Sequence, residues 1–410
     1  MKAKSNNNLP LSGIRVADLT WWQAGPQATV LLAGLGAEVI RVESRQRPDI
    51  MRRVSTHFRE DDPATLNYSP HFYSLNYNKK SLSLNLTRPG SAGIARELVK
   101  ISDIVVENFA GGVMERLGLG YAALKEVNPG IIMLSVTGMG QTGPEKHYLS
   151  YAQTMHAFTG LTSITGYAGG PPRSVGAFWG DHVSAYSASF AVLAALHHRR
   201  RTGEGQYIDL SMSEAVISTI PEVFLAYEMK GEVSKPRGNR DELMAPHGCY
   251  RCKGEDCWAA IAVRNDMEWQ AFGRAAGSPA WAGKRKFARA ADRLRYQDEL
   301  DTFIESWTRD RTAREVVEAL QSEGIPSGTS SDLDGLIADP QLRQRGFFIR
   351  RRHPKGGYGL QLRAPWKLSD YPHPYQPPPD LGQHSRYVIC ELLGRTEEEF
   401  RKLIDAKVIY

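Results

Sequence analysis

The pair Gly180-Asp181 heads a run in which Ala185, Ala188, Val192 and Leu196 recur every three or four residues. That spacing predicts a helix from Asp181 to Arg199 with a carboxylate in its opening turn. A helix dipole favours the anionic form of such a group, and an ionised carboxylate is the form that attacks an acyl carbon. Gly180 lets chain and substrate come close. Asp is also a favoured N-cap, a structural reading compatible with the nucleophilic one.

Other polar groups fall where strands should end. Trp21-Trp22-Gln23-Ala24-Gly25-Pro26 reads as a turn after the first strand, and ligands of open α/β sheets bind at that carboxyl edge. The three-glycine phosphate fingerprint of nicotinamide enzymes is missing there. Glu43 ends the second strand, where dinucleotide folds carry a ribose-binding acid. Asn76, Asn78, Lys79 and Lys80 follow an apolar stretch read as a short strand, Glu107-Asn108-Phe109 ends another, and Arg116 lies a few residues on. Such loops suit phosphates and an amide chain. Ordinary polar loops are the competing reading.

Cys249, Cys252 and Cys257 lie within nine residues, close to His247. A lone cluster without a second ligand knuckle is a weak zinc pattern. The stretch from His247 to Ala262 reads as a hairpin around Lys253-Gly254-Glu255-Asp256, so reduced thiols and no metal site are expected. The 410 residues carry a net charge of +6, with 41% hydrophobic and 23% charged residues. No long basic block or nucleic-acid motif accompanies that charge, so no nucleic-acid partner is expected. A polyanionic small ligand suits the charge as well. No apolar run nears the roughly 20 residues of a membrane span. The opening MKAKSNNNLPLSG has two lysines and no apolar segment behind them, so neither membrane nor secretory signal is expected, and the cytoplasm is the expected compartment.

The elements that must position these groups alternate. Ile14–Leu19 and Ala37–Val42 read as strands flanking a turn at Thr20–Pro26 and a helix at Gln27–Leu35. Gly90–Lys100 reads as helix, Asp103–Asn108 as strand, Met114–Asn128 as helix and Ile131–Thr137 as strand. The pattern points to a doubly wound α/β sheet. Arg199-Arg200-Arg201 closes the long helix with charges that complement its dipole. Composition turns charged and Gly/Pro-containing over Val223–Arg240, read as a linker. A small domain follows, with helices at Asp266–Gly277 and Thr312–Glu323, and a last helix lies near Glu397–Ala406. The length fits about two domains.

Taken in order, these segments resemble the class III CoA-transferases, the group of formyl-CoA:oxalate and carnitine CoA-transferases. The resemblance rests on Leu11-Ser12-Gly13-Ile14-Arg15-Val16-Ala17-Asp18-Leu19-Thr20, Gln23-Ala24-Gly25-Pro26, Gly34-Leu35-Gly36-Ala37-Glu38-Val39-Ile40, Asn78-Lys79-Lys80-Ser81 and Val106-Glu107-Asn108-Phe109. It continues through Arg199-Arg200-Arg201-Thr202-Gly203-Glu204-Gly205-Gln206, Gly324-Ile325-Pro326-Ser327-Gly328, Asp339-Pro340, Ala364-Pro365 and Leu381-Gly382-Gln383-His384.

The resemblance implies a Rossmann-like large domain from both chain ends, a smaller inserted α+β domain and an interlocked homodimer. The implied divisions are residues 1–225, 226–328 and 329–410. It places Asp181 at the family's nucleophile, with Gln23 and Trp22 beside the thioester and Tyr151 facing the aspartate. Leu75, Lys79, Asn108 and Arg116 match positions lining the CoA groove, and Arg45 substitutes for a cation near the adenine where this chain has Ser44. The family's glycine-rich loop matches Pro236-Arg237-Gly238-Asn239-Arg240, which holds few glycines.

The implied reaction needs no tightly bound cofactor. CoA passes from a donor thioester, with succinyl-CoA the first expectation, to a carboxylic acid. A bulky or aryl-substituted dicarboxylate such as benzylsuccinate suits Trp21, Trp22, Phe178 and Trp179. Two alternatives stay open. A 2-methylacyl-CoA racemase needs a histidine base where Tyr151 stands, with His156 about one turn away. The chain is alternatively a CoA-binding subunit of a heteromeric transferase.

Overall fold

Strand β1 (Arg15–Asp18) lies at the centre of a six-stranded sheet ordered β3-β2-β1-β4-β5-β6. Its partners are β2 (Glu38–Glu43), β3 (Lys79–Ser83), β4 (Ile104–Glu107), β5 (Ile132–Thr137) and β6 (Tyr207–Ser211), and every pairing is parallel. This is the dinucleotide-fold order, which reverses direction between β1 and β4 and opens a crevice at their carboxyl ends. Strands β4 and β5 are near-continuous apolar runs, as expected where helices cover both faces. One face packs Ile40, Leu82, Ile94, Leu98 and Val105. The other packs Val16, Leu32, Val106, Leu134, Ala188 and Val192. The computed structural model describes residues 9–54, 59–60, 62–353, 357–369, 371 and 375–410.

The chain forms two compact units. One comprises Met1–Leu161, Ser174–Glu232 and Gly346–Tyr410, the other Thr162–Arg173 and Val233–Arg345. In the first, the C-terminal segment seals the sheet edge. Gly382 N–H donates to Ser81 Oγ at 2.8 Å, His384 Nδ1 accepts from Ser81 N–H at 3.2 Å, and Ser385 Oγ accepts from Ser83 N–H at 3.0 Å. Asn85 N–H reaches Val408 O at 2.9 Å. The second unit carries β7 (His247–Arg251), β8 (Trp258–Ala262) and β9 (Ser327–Thr329) as an antiparallel sheet. Trp269, Phe272, Phe287, Ile304 and Trp307 pack its core.

Several elements differ from the sequence reading. The first helix is Ala24–Gly34, so Pro26 sits in its opening turn, where a missing N–H costs no intrahelical bond. Met114–Asn128 is two short helices, Val113–Arg116 and Tyr121–Val127, parted at Gly118, which adopts φ +68°. The stretch before Lys79 is a helix, Pro70–Asn76, started by Ser69 as N-cap and by Pro70. Lys79 and Lys80 therefore open β3 instead of following a strand. Much of the expected linker is helix Pro221–Lys230, which buries none of its residues. The long helix is Trp179–Thr202 and its N-cap is Phe178, so Asp181 stands inside the first turn and does not cap.

The Thr202-Gly203-Glu204-Gly205-Gln206 signature is structural. Gly203 ends the helix at φ +79°, and a Cβ on Gly205 would lie 2.0 Å from Ile131 O. Arg199 ties the loops before β4 and β5 together through Asp103 O and Gly130 O, both at 3.1 Å, and through Asp103 Oδ1 at 2.7 Å.

Candidate active site

Two helices begin at the same place. Helix Ala24–Gly34 starts after Gln23, whose side chain makes no cap, and Trp179–Thr202 starts after Phe178, which has no side-chain oxygen. Both leave opening N–H groups in need of acceptors. The Asp181 carboxylate takes two, the Ala24 N–H and its own. Those hydrogen bonds favour the anion, but burial outweighs them and pushes the Asp181 carboxyl up to about 6. At neutral pH it is mostly ionised yet poorly hydrated, which suits a nucleophile.

His156 supplies the acceptor for the next opening N–H. Its ring is fully buried, and Nε2 accepts the Gly180 N–H at 3.1 Å. Nδ1 therefore carries the proton and faces Ser174 Oγ at 3.2 Å. Burial lowers the His156 pKa, in keeping with a neutral ring. A Cβ on Gly180 would stand 2.6 Å from Met155 Cε and 3.1 Å from Val216 Cγ2.

The turn between β1 and the first helix is held from three sides. Asn108 closes a two-way bond with Trp21, its Oδ1 accepting Trp21 N–H at 2.8 Å and its Nδ2 donating to Trp21 O at 2.7 Å. Asp49 Oδ1 accepts the Trp22 N–H at 3.3 Å. Gly25 sits where a Cβ would meet Thr20 Cβ at 2.5 Å and Asn108 Cγ at 3.2 Å. Trp22 is pinned at φ 64°, a strained conformation for an aromatic residue and one that gathers at functional sites. Its ring tilts against Tyr151 with centroids 5.2 Å apart. Tyr151 is 60% exposed at the N-cap of helix Ala152–Phe158, the helix that carries His156.

The expected groove residues divide. Arg45 and Arg116 are exposed, and Arg47, which the sequence reading missed, lies 5.1 Å over the Trp21 ring. Its place two residues after Arg45 was the available signal. Leu75 is buried with Met51 and Phe72. The Lys79 ammonium is fully buried among Asp18 Oδ2 (3.0 Å), Pro26 O (2.9 Å), Thr29 Oγ1 (2.7 Å) and Asn76 Oδ1 (3.0 Å). It braces the first helix from beneath. Glu43 is no open ribose acid either. Arg52 grips it through bonds of 2.8 and 2.7 Å, and Ser81 adds a third at 2.6 Å. Arg41 pairs with Asp49, so this buried ionic network ends on the residue that holds Trp22. Among the described residues the Gln23 side chain bonds Gln27, at 3.3 Å, and His156 has its acceptor nitrogen occupied.

In the second unit an open cavity of about 470 Å³ is bordered by Gly238, Arg240, His247, Cys249 and Ser327, so the segment matched to the glycine-rich loop lies on its rim. Among the described residues no set of three or more His, Cys, Asp or Glu side chains is placed to hold a metal ion, and no helix is long and apolar enough to cross a membrane.

Residues 11–385 match the model of CoA-transferase family III. The chain is 33% identical over 401 residues to the succinyl-CoA–D-citramalate CoA-transferase of Chloroflexus aurantiacus, covering 98% of each chain. It is 32% identical over 409 residues to the beta subunit of that organism's succinyl-CoA–L-malate CoA-transferase, covering 99% of each. The crystal structure of a CAIB/BAIF family protein from Brucella suis superposes with a TM-score of 0.83 at 28% identity, over 94% of this chain and 100% of that one.

Proposed function

The chain belongs to CoA-transferase family III, and from that premise we propose that Asp181 is its nucleophile, succinyl-CoA its donor and a dicarboxylic acid its acceptor. The observation that carries the proposal is one half-buried carboxylate held by N–H groups at two helix starts, beside the β1–β4 crevice.

The steps balance without any added group. An Asp181 oxygen bonds to the donor thioester carbonyl carbon, the C–S bond breaks, and CoA leaves as thiolate, giving a mixed anhydride. The thiolate attacks Asp181 Cγ and expels the donor acid as carboxylate, giving an aspartyl-CoA thioester. The acceptor carboxylate attacks the same carbon and frees the thiolate, which takes the acceptor's acyl group and restores Asp181. When Cγ is attacked, charge builds on an Asp181 oxygen. The Ala24 N–H that holds the carboxylate at rest is placed to receive it, a contribution on the order of 3 kcal/mol. Binding of the distant nucleotide supplies the energy that holds the desolvated intermediates together. Arg45, Arg47 and Arg116 are exposed cations that can serve its phosphates.

The acyl group faces the Trp22–Tyr151 pair, and exposed aromatic rings suit an aryl-substituted succinate. Citramalate and malate, the acceptors in the relatives' names, are the smaller competitors. The exposed apolar side chains Phe190, Leu193, Phe224, Leu225 and Met229 support assembly with a second copy as the interlocked dimer the resemblance implies, and the cytoplasm is the compartment proposed for it.

A panel of acyl-CoA donors and carboxylic acceptors read by mass spectrometry tests substrate choice. Hydroxylamine or borohydride added during turnover tests the mechanism and should tag the Asp181 peptide alone. A tag elsewhere, or none during full turnover, removes Asp181 from the reaction.

A further inference from the structure

We propose that His156 is a positioning residue for the nucleophile, a buried neutral imidazole that replaces the missing cap of helix Trp179–Thr202 and ties it to the helix bearing Tyr151. This rests on Asp181 as the reacting group.

The reasoning begins with what Phe178 lacks. A helix start with no capping oxygen leaves its opening N–H groups without acceptors unless another element provides them. Asp181 turns its carboxylate to its own N–H and to Ala24, and His156 Nε2 takes Gly180. The histidine reaches that site from a separate helix, Ala152–Phe158, whose N-cap is Tyr151. One rigid turn therefore presents the ring against Trp22 at one end and the acceptor for Gly180 at the other. Ser174 Oγ faces Nδ1 at 3.2 Å and in turn donates to Val175 O at 3.3 Å, which fixes the ring's donor and acceptor sides.

Gly180 gives the chain no side chain of its own with which to register this turn. Its neighbours Met155, Val216 and His156 crowd the space a Cβ would need, and of these only His156 makes a directional bond. Losing that bond frees the residue next to Asp181 to shift. A displacement of about 1 Å at a reacting group can cost about 100-fold in rate. The CoA nucleotide, held elsewhere, should bind as before.

Two polar replacements separate the roles. In His156→Gln the side-chain amide oxygen stands near the position of Nε2 and can still accept the Gly180 N–H. In His156→Asn the shorter amide stands near Nδ1, reaching Ser174 and falling short of Gly180. The readout is the single-turnover rate constant for covalent labelling of Asp181 by succinyl-CoA, or by whichever donor the panel selects. That constant reports only folded chains, so partial unfolding does not distort it. The expected result is a loss of about 10- to 100-fold for His156→Asn with KM for the acyl-CoA within about 3-fold. His156→Gln should stay within about 3-fold of the parent. Parent-like labelling by His156→Asn overturns the proposal, and so does His156→Gln as slow as His156→Asn, because a role in filling space gives no such ordering. An Asp181→Ala control that still labels brings down the nucleophile assignment itself, a separate failure.

Discussion

Asp181 carries opposing demands, and its titration records them. Burial lifts it from 3.8 to about 6 in the folded chain, while the unfolded chain keeps the ordinary value. The folded state therefore binds protons more tightly, and the group subtracts from stability as pH rises from about 4 to about 6. Above that the penalty is constant, at most about 3 kcal/mol from a shift of about two units. Asp181→Asn removes the charge and keeps the shape. It should raise the denaturation midpoint at pH 8 by more than at pH 5 while lowering kcat by about 10³-fold or more. Paired urea melts at the two pH values check this, and equal gains at both would show the burial penalty to be absent. The parent's transfer rate should fall on the acid side with an apparent pKa near 6. The place of this residue in the first turn of a helix was legible in the sequence, because a Gly-Asp pair before a helical run already means a carboxylate at a dipole. Its partners were not. The Ala24 N–H and the His156 ring arrive from segments far away in the chain, and no local spacing reports them.

At the scale of elements, the strand–helix alternation was readable where apolar runs were long, hence β1, β2, β4 and β5. It failed where glycine or proline acts by position. Gly118 splits a pattern that looks continuous, and Pro26 and Pro70 lie in the opening turns of helices that a simple breaker rule places elsewhere. The Leu381-Gly382-Gln383-His384 motif was recognisable only as a family mark. In the fold it blunts the free edge of β3, a feature open sheets must otherwise protect. This device titrates. Burial and the neighbouring Lys80 cation hold His384 below its usual 6.5, and the Nδ1 lone pair is committed to Ser81 N–H. The unfolded chain protonates His384 at its ordinary pKa while the folded chain resists, so stability is lost as pH falls below about 6.5. In His384→Asn an amide oxygen can stand near Nδ1 without titrating. The prediction is a parent-like midpoint at pH 8 and a smaller loss than the parent shows between pH 7 and pH 5.5. His156 and His182, also lowered by burial, keep part of the loss in both proteins. An identical fall in the two chains would remove His384 as a contributor.

At the scale of the whole molecule, many large apolar side chains among the described residues stand uncovered. Helix Pro221–Lys230 buries none of its residues, Met229 is 79% exposed, and Phe190 on the long helix is 75% exposed. Exposed apolar side chains that gather into a patch mark an interaction surface. A second copy of the chain is the occupant that the resemblance implies, and an interlocked pair has a property that ordinary docking lacks. Two subunits passed through one another cannot part by loosening a surface, so exchange requires a chain to unfold. The chain expressed alone should sediment near twice its 45.6 kDa mass and stay there on dilution into the low nanomolar range. Tagged and untagged dimers mixed at 25 °C should yield no mixed species over hours, whereas adding enough urea to unfold and then removing it should give mixed dimers. Exchange within minutes under native conditions would mean a separable interface and end the interlocked description. An inactive species of single-chain mass would instead favour a heteromer, as the beta-subunit name of one relative indicates for that protein. Transferase activity measured in the same fractions distinguishes the two, because the dimer is expected to carry it without any further chain.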